Sequence, residues 1–147
     1  NSSVVALANG TLDVLVGGRN QQEFDFETSP SLGGLYFSTP YFYGNESASN
    51  GVSFYSMATR EEDVIFTSFV NCVVMATIYA QEFDIQKHKS REMPLISILG
   101  SEISWALRNA ISYSGSYDEM YVKHFDNETT EAGRGRNTLN EGRPLML

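Results

Sequence analysis

Short apolar runs broken by turn-forming residues characterise the first third of the chain. Leu12–Val16 is a mainly apolar run followed by two glycines, which predicts a buried strand and a turn. Roughly Leu35–Tyr43 is also strand-like, but Pro40 favours an extended segment over a central strand. A further strand is predicted over Val52–Met57, after a turn-forming stretch. These three segments predict a small sheet.

The apolar spacing becomes helical beyond Met57. Thr59, followed three residues later by Glu62, has the form of a capping box and predicts a helix start. Apolar residues from Val64 onward cover most of the circumference of this helix, so we expect it to be a well-buried core helix. A membrane span is the alternative, because Val64–Ala80 is a largely apolar stretch of 17 residues, at the lower limit for crossing a bilayer.

Two shorter helices are predicted after this long one. Ile103–Tyr113 has apolar residues on one side and Gly115 as its stop. Ser116 and Glu119 form a second capping box, which opens a short helix through about Phe125. The sequence therefore predicts an α/β fold, a small sheet covered by about three helices. Residues 1–57 form its strand-rich part, 58–132 its helical part and 133–147 a polar tail.

The composition narrows the classes of function. The chain has 147 residues, 41% of them hydrophobic, which is enough for one domain with a core. With 18 acidic and 10 basic residues the formal charge is −8, which argues against nucleic acid and anionic membranes as main partners. The single cysteine, Cys72, excludes an internal disulfide. With only two histidines besides, we expect neither a metal site nor a cofactor.

Residues that could catalyse a reaction are few. His88 and His124 each lie beside lysines and far from any nucleophile motif, which is typical of surface histidines. Glu23, Asp25 and Glu27 alternate, so on a strand their carboxylates would share one face. Such a face is either a solvated edge or an acid/base group. We expect the solvated edge and a protein that is not an enzyme.

Four Asn-x-Ser/Thr sequons occur, at Asn1, Asn9, Asn45 and Asn127. In a secreted eukaryotic protein each is a candidate glycosylation acceptor, and Asn9, Asn45 and Asn127 are the sites that we predict. Chance is the alternative, because the chain is rich in Asn, Ser and Thr.

Several short motifs follow one another along the chain in a characteristic order. LANGTLDVLVGGRN is followed by YFSTPYFYG, then by AQEFDI, GSYDEMYVKH and GRGRNTLNEG. In this order they resemble extracellular solute-binding proteins of family 3, the amino-acid receptors of ABC transporters, and within them the general L-amino-acid-binding branch. In that family a helix ends in a short turn with Gly and Asp, a strand with DVL follows, and an FS-x-PY segment leads into the crossover to a second lobe. The resemblance implies that residues 1–147 form a single incomplete domain, a partial lobe of the type II periplasmic-binding-protein fold.

Two features depart from that family. Only the turn-rich Asn45–Gly51 stands where the family has a complete second lobe, so no cleft could close on a ligand. The family's carboxylate-binding arginine aligns with about Glu27, whereas Arg19 and Asn20 match the branch's RN pair and Gln21 replaces a threonine. Arg19 is the only basic residue of the first 57. The resemblance therefore makes Arg19, Asn20 and Gln21 the predicted ligand-binding residues, with an ordinary turn arginine as the alternative.

The leading hypothesis is a non-enzymatic, extracellular or periplasmic protein that binds a small polar amino acid with weakened capture. Its partners would then be that amino acid and either an ABC transporter permease or another protein chain, while membrane association is not expected. One alternative is a structural or interaction module whose open sheet edges pair with another chain. A further alternative, less favoured, is a dehydratase-like acid/base enzyme that uses Glu23, Asp25 or Glu27.

Overall fold

The described residues form a mixed α/β structure, as the sequence predicts. The computed structural model of the 147-residue chain describes residues 2–16, 34–38, 42–43, 54–97 and 100–125. The α-helices in these ranges are α1 (Ser2–Ala8), α2 (Val64–Glu82), α3 (Ala106–Ser114) and α4 (Tyr117–Phe125). The strands are β1 (Leu15–Val16), β2 (Leu35–Phe37), β3 (Phe42–Tyr43), β4 (Phe54–Tyr55) and β5 (Met57–Arg60).

The chain divides into two compact units, Asn1–Asn71 and Cys72–Leu147. The first unit is built on a three-stranded sheet in the order β1–β5–β2, and the central β5 is antiparallel to both neighbours. β1 and β2 are therefore parallel to each other, on either side of a strand that comes later in the chain. β3 and β4 form a separate antiparallel pair, with Phe42 opposite Tyr55.

A helix that the hydrophobic pattern did not predict, α1, packs on the three-stranded sheet. Val4 and Leu7, one turn apart, are buried with Ala58 of β5, and Leu15 and Leu35 pack against the same cluster. At seven residues α1 is too short to be stable alone, so these tertiary contacts stabilise it. The family resemblance does imply a helix at this place, ahead of the DVL strand.

The first predicted strand is shorter than its apolar run. Within Leu12–Val16 only the last two residues form β1. The prediction was wrong at Leu12, Asp13 and Val14, which belong to no strand. The N–H of Leu12 donates to the carbonyl oxygen of Ala6 (3.0 Å), within the turn that follows α1.

The other two predicted strands are divided. The described part of Leu35–Tyr43 forms β2 and β3, which lie in different sheets. The run Val52–Met57 is shared between β4 and β5, and β5 continues to Arg60 because Leu35 and Tyr36 extend the ladder opposite it. Residues 52 and 53 lie outside the described residues.

The start predicted for α2 was wrong. Thr59 is a buried residue of β5, and its hydroxyl lies 2.7 Å from that of Thr67. The helix instead begins at Val64, and Asp63 caps it because its Oδ1 accepts a hydrogen bond from the N–H of Phe66 (2.9 Å). The spacing of Thr59 and Glu62 favoured Thr59 as the helix cap, but Thr59 is paired with Tyr36 in the sheet.

The burial of α2 differs along its length. By length and composition it could cross a membrane, with a mean hydropathy of 1.6, and it is the one such helix among the described residues; 33% of its apolar window is buried. Ala76 and Ala80 lie in a hydrophobic core, whereas Val64 and Ile65 are 69% and 70% exposed. The expectation of a well-buried helix is correct for the second half and wrong for the first turn. Apolar residues surround the helix, but only part of that surface faces a core.

The second unit has its own core, formed by α2, the segment after it and α3. Its six buried residues are Ala76, Ala80, Ile85, Met93, Leu107 and Ile111. A 3₁₀ helix, Lys87–Glu92, packs against α3. Arg108 of α3 donates through Nε to the carbonyl oxygen of Met93 (2.6 Å), which holds the end of that 3₁₀ helix against α3.

The boundaries of α3 and α4 follow the sequence signals closely. α3 begins at Ala106 rather than at the predicted Ile103, because Ser101–Ile103 form a separate 3₁₀ turn. Gly115 ends α3 at a φ of 85°, as predicted. The capping box is also confirmed: the Ser116 N–H donates to Glu119 Oε2 (2.9 Å), and the Glu119 N–H donates to Ser116 Oγ (3.2 Å).

Candidate functional site at the strand ends of the first unit

The parallel strands β1 and β2 end at the same edge of the sheet. Val16, the last residue of β1, lies opposite Met57, the first residue of β5. Ser38 follows β2 and lies beside the same Met57, because its N–H donates to the Met57 carbonyl oxygen (2.9 Å). In open α/β sheets, ligands bind outside the carboxyl ends of parallel strands. This edge is the candidate site.

Ser38 anchors the edge with its side chain as well. Its Oγ accepts a hydrogen bond from the N–H of Met57 (2.9 Å), so both backbone polar groups of Met57 are paired with Ser38. Ser38 is buried, and it belongs to the FSTP segment of the family resemblance. Sequence reasoning did not single out this serine, although its place two residues before Pro40, within the strand-like run Leu35–Tyr43, was a usable signal.

The opposite edge of the sheet is organised by Arg60, at the carboxyl end of β5. Its guanidinium donates to the carbonyl oxygen of Leu12 (2.7 Å) and forms ion pairs with Asp13 (3.3 Å) and Glu62 (3.1 Å). A longer contact of 3.5 Å reaches the carbonyl oxygen of Leu7. Arg60 therefore positions the turn between α1 and β1, and its charge is compensated by two carboxylates rather than open to a ligand anion.

The residues predicted to bind a ligand lie outside the described residues. Arg19, Asn20 and Gln21 follow β1 in the sequence, after the two glycines that end the apolar run. The alternating acidic residues Glu23, Asp25 and Glu27, the sequons at Asn1, Asn45 and Asn127, and the Asn45–Gly51 turn also lie outside them. The structure thus describes the edge at which β1 ends, and not the predicted binding segment that follows β1 in the sequence.

The other chemistry-bearing residues are dispersed. His88 and His124 are both exposed, and Cys72 is a half-buried free thiol within α2. No group of three or more His, Cys, Asp or Glu residues that could hold a metal ion occurs in the described part of the chain. Of the predicted glycosylation sites, Asn9 lies within the described residues, and it is exposed.

Comparison with known proteins gives no further assignment. No protein-family model matches the chain, and no significantly similar curated protein or solved structure was found.

Proposed function

We propose that this chain is a non-enzymatic binding protein for a small polar amino acid, related to the solute-binding receptors of family 3 and secreted to the periplasm or the extracellular space. The observation that carries the proposal is the shared edge of β1 and β2, from which the Arg19–Gln21 segment continues. A small-molecule site at this edge follows the general placement of ligands in open α/β sheets.

The chemistry of the segment suits a free amino acid. Arg19 can bind a carboxylate with two parallel N–H donors, and the carboxamides of Asn20 and Gln21 offer both donors and acceptors to a polar ligand. Arg60, the other arginine of the first unit, already pairs with Asp13 and Glu62 at the opposite edge. Arg19 is therefore the cation assigned to the ligand.

The arrangement of the later strands supports the family part of the proposal. In the family, the chain leaves the first lobe after the strand that corresponds to β2, forms the second lobe and then returns. Here the antiparallel pair β3–β4 stands at that point of the sequence, and β5 then enters the sheet between β1 and β2. This order of strands fits a lobe whose partner lobe has been replaced by Asn45–Gly51. Without closure around the ligand we expect weak binding, with a dissociation constant on the order of 1 mM, about −4 kcal/mol.

Isothermal titration of the full chain with the common amino acids, each raised to several times the expected dissociation constant, tests the proposal. We expect a saturable heat for small polar amino acids that Arg19→Ala removes. Arg91→Ala is the matched control, because Arg91 is an exposed arginine of the other unit, and it should leave the heat unchanged. Absence of any saturable heat or thermal shift would contradict the proposal, and so would binding that survives Arg19→Ala.

A second candidate function, an interaction module, is favoured by one specific observation. Val64 and Ile65, the first two residues of α2, lie in the first unit, and about seven-tenths of the surface of each is exposed. A pair of exposed aliphatic residues suits contact with another protein chain. Light scattering across a wide concentration range tests it: association that Val64→Lys weakens supports the module, whereas a strict monomer that binds amino acids supports the receptor.

A further inference from the structure

The Asn9–Gly10–Thr11 sequon coincides with the turn that ends α1. Gly10 has a φ of 78°, and its N–H donates to the carbonyl oxygen of Leu7 (3.2 Å), while the Thr11 N–H donates to that of Ala6 (2.8 Å). These two bonds define a Schellman motif, in which the left-handed residue is most often glycine. The sequon therefore has a defined conformation.

Within this turn the threonine side chain is bonded to the asparagine side chain. Thr11 Oγ1 donates to Asn9 Oδ1 at 2.9 Å, and the Thr11 N–H makes a longer contact of 3.3 Å with the same oxygen. No hydrogen bond engages the Nδ2 atom of Asn9 within the described part of the chain. The carboxamide is thus held through its oxygen, and its nitrogen is left for another reactant.

This contact has a chemical consequence for the carboxamide nitrogen. A hydrogen bond to Oδ1 draws electron density from the amide and makes the Nδ2 protons easier to remove. A serine or threonine hydroxyl two residues on is the group that sequons have in common. In the folded protein the Thr11 hydroxyl and the Asn9 carboxamide are in direct contact.

We propose that Asn9 is an acceptor for an N-linked oligosaccharide. The donor is a lipid-pyrophosphate-linked oligosaccharide, supplied with its transferase in the secretory lumen. The Asn9 Nδ2–C1 bond to the first sugar forms, the bond from C1 to the pyrophosphate oxygen breaks, one Nδ2 proton passes to a transferase base, and the lipid pyrophosphate leaves. No oxidation or reduction occurs.

The folded structure accommodates such a group. Asn9 and the four residues after it, through Asp13, are all exposed, so a glycan at this position displaces no packed side chain. The turn precedes β1 and contacts Arg60, which places it at the edge of the sheet opposite the Val16 and Ser38 edge. Glycosylation at Asn9 would therefore leave the proposed ligand edge open. The inference is independent of amino-acid binding and requires only that the chain reach a secretory lumen.

The test is secretion of the full 147-residue chain from a eukaryotic host behind a cleavable signal peptide, followed by mass spectrometry of intact glycopeptides. We expect a glycopeptide that contains Asn9, and its loss in Asn9→Gln and in Thr11→Ala. Thr11→Ser keeps the hydroxyl and should keep the glycan. Asn109→Gln is the matched control, because Asn109 is an exposed asparagine outside any sequon, and it should change nothing.

Two results would overturn the proposal. The first is unmodified Asn9 in the secreted protein, and the second is Asn9 converted to aspartate without a sugar, the competing reaction of Asn-Gly pairs. Neither of these outcomes depends on amino-acid binding, so the two proposals succeed or fail separately.

Discussion

The carbonyl oxygen of Leu12 accepts a hydrogen bond of 2.7 Å from Nη1 of Arg60, 48 residues later in the chain. The bond ties the turn after α1 to the end of β5, and two acidic side chains on the same guanidinium reinforce it. Since the turn leads directly into β1, this contact helps to position the strand from which the proposed binding segment departs.

Arg60→Ala should destabilise the first unit by about 2 kcal/mol, because it removes a charged hydrogen-bond donor and leaves a backbone carbonyl without its protein partner. Amide hydrogen exchange of β5 should report the loss. Arg91→Ala, at an exposed position, should change the free energy by less than about 0.5 kcal/mol. Equal effects of the two substitutions would contradict the role of Arg60.

The buried hydroxyl pair of Thr59 and Thr67 should behave as a coupled unit. Thr67→Val leaves the Thr59 hydroxyl without this partner and removes a donor to the Arg60 carbonyl oxygen, at a cost of about 1–3 kcal/mol. Replacing both threonines by valine should cost less than the sum of the single changes, as a double-mutant cycle of urea unfolding would measure.

The control for this cycle is Ser68→Ala, at the exposed neighbouring position of α2. It should have little effect on unfolding. Strict additivity of Thr59→Val and Thr67→Val would show that the two hydroxyls do not interact in solution.

Alanine substitutions at two glycines with positive φ, Gly115 and Gly100, distinguish backbone strain from steric crowding. Gly115→Ala places a Cβ 2.8 Å from Glu119 Oε2 at a φ of 85°, whereas at Gly100 (φ 99°) a Cβ would meet nothing within 4 Å. Both changes carry left-handed strain of about 1 kcal/mol, and Gly115→Ala also disturbs the capping box. We expect Gly115→Ala to destabilise the second unit more than Gly100→Ala does, with the fluorescence of the only tryptophan, Trp105, as the probe.

Asp63→Ala should destabilise α2 by about 1 kcal/mol, because the side chain caps the N–H of Phe66. Glu61→Ala, at an exposed position nearby, should have less effect. Circular dichroism during urea unfolding measures both. A larger loss from Glu61→Ala would place the cap elsewhere and contradict the helix start at Val64.

The capping box of Ser116 and Glu119 could be predicted from the sequence, and the cap of α2 could not. In the first case both partners and the stop at Gly115 lie within five consecutive residues, so local spacing contains all the information. In the second, Thr59 and Glu62 have the same spacing, but Thr59 pairs with Tyr36 of a strand more than twenty residues earlier. Pairing with this distant strand places Thr59 in the sheet rather than at the start of the helix, and the local spacing of residues contains no information about that pairing.

The sequence by itself determined the α/β class, the long apolar helix and the ends of the two short helices, because apolar periodicity and caps act over a few residues. Only the tertiary structure decided that β5 lies between β1 and β2, that α1 forms at all, and that Ser38 and Val16 end at one edge. These outcomes depend on burial against residues distant in the chain, such as Leu7 against Ala58. The candidate site is defined in the same way, by strand order and not by any motif alone.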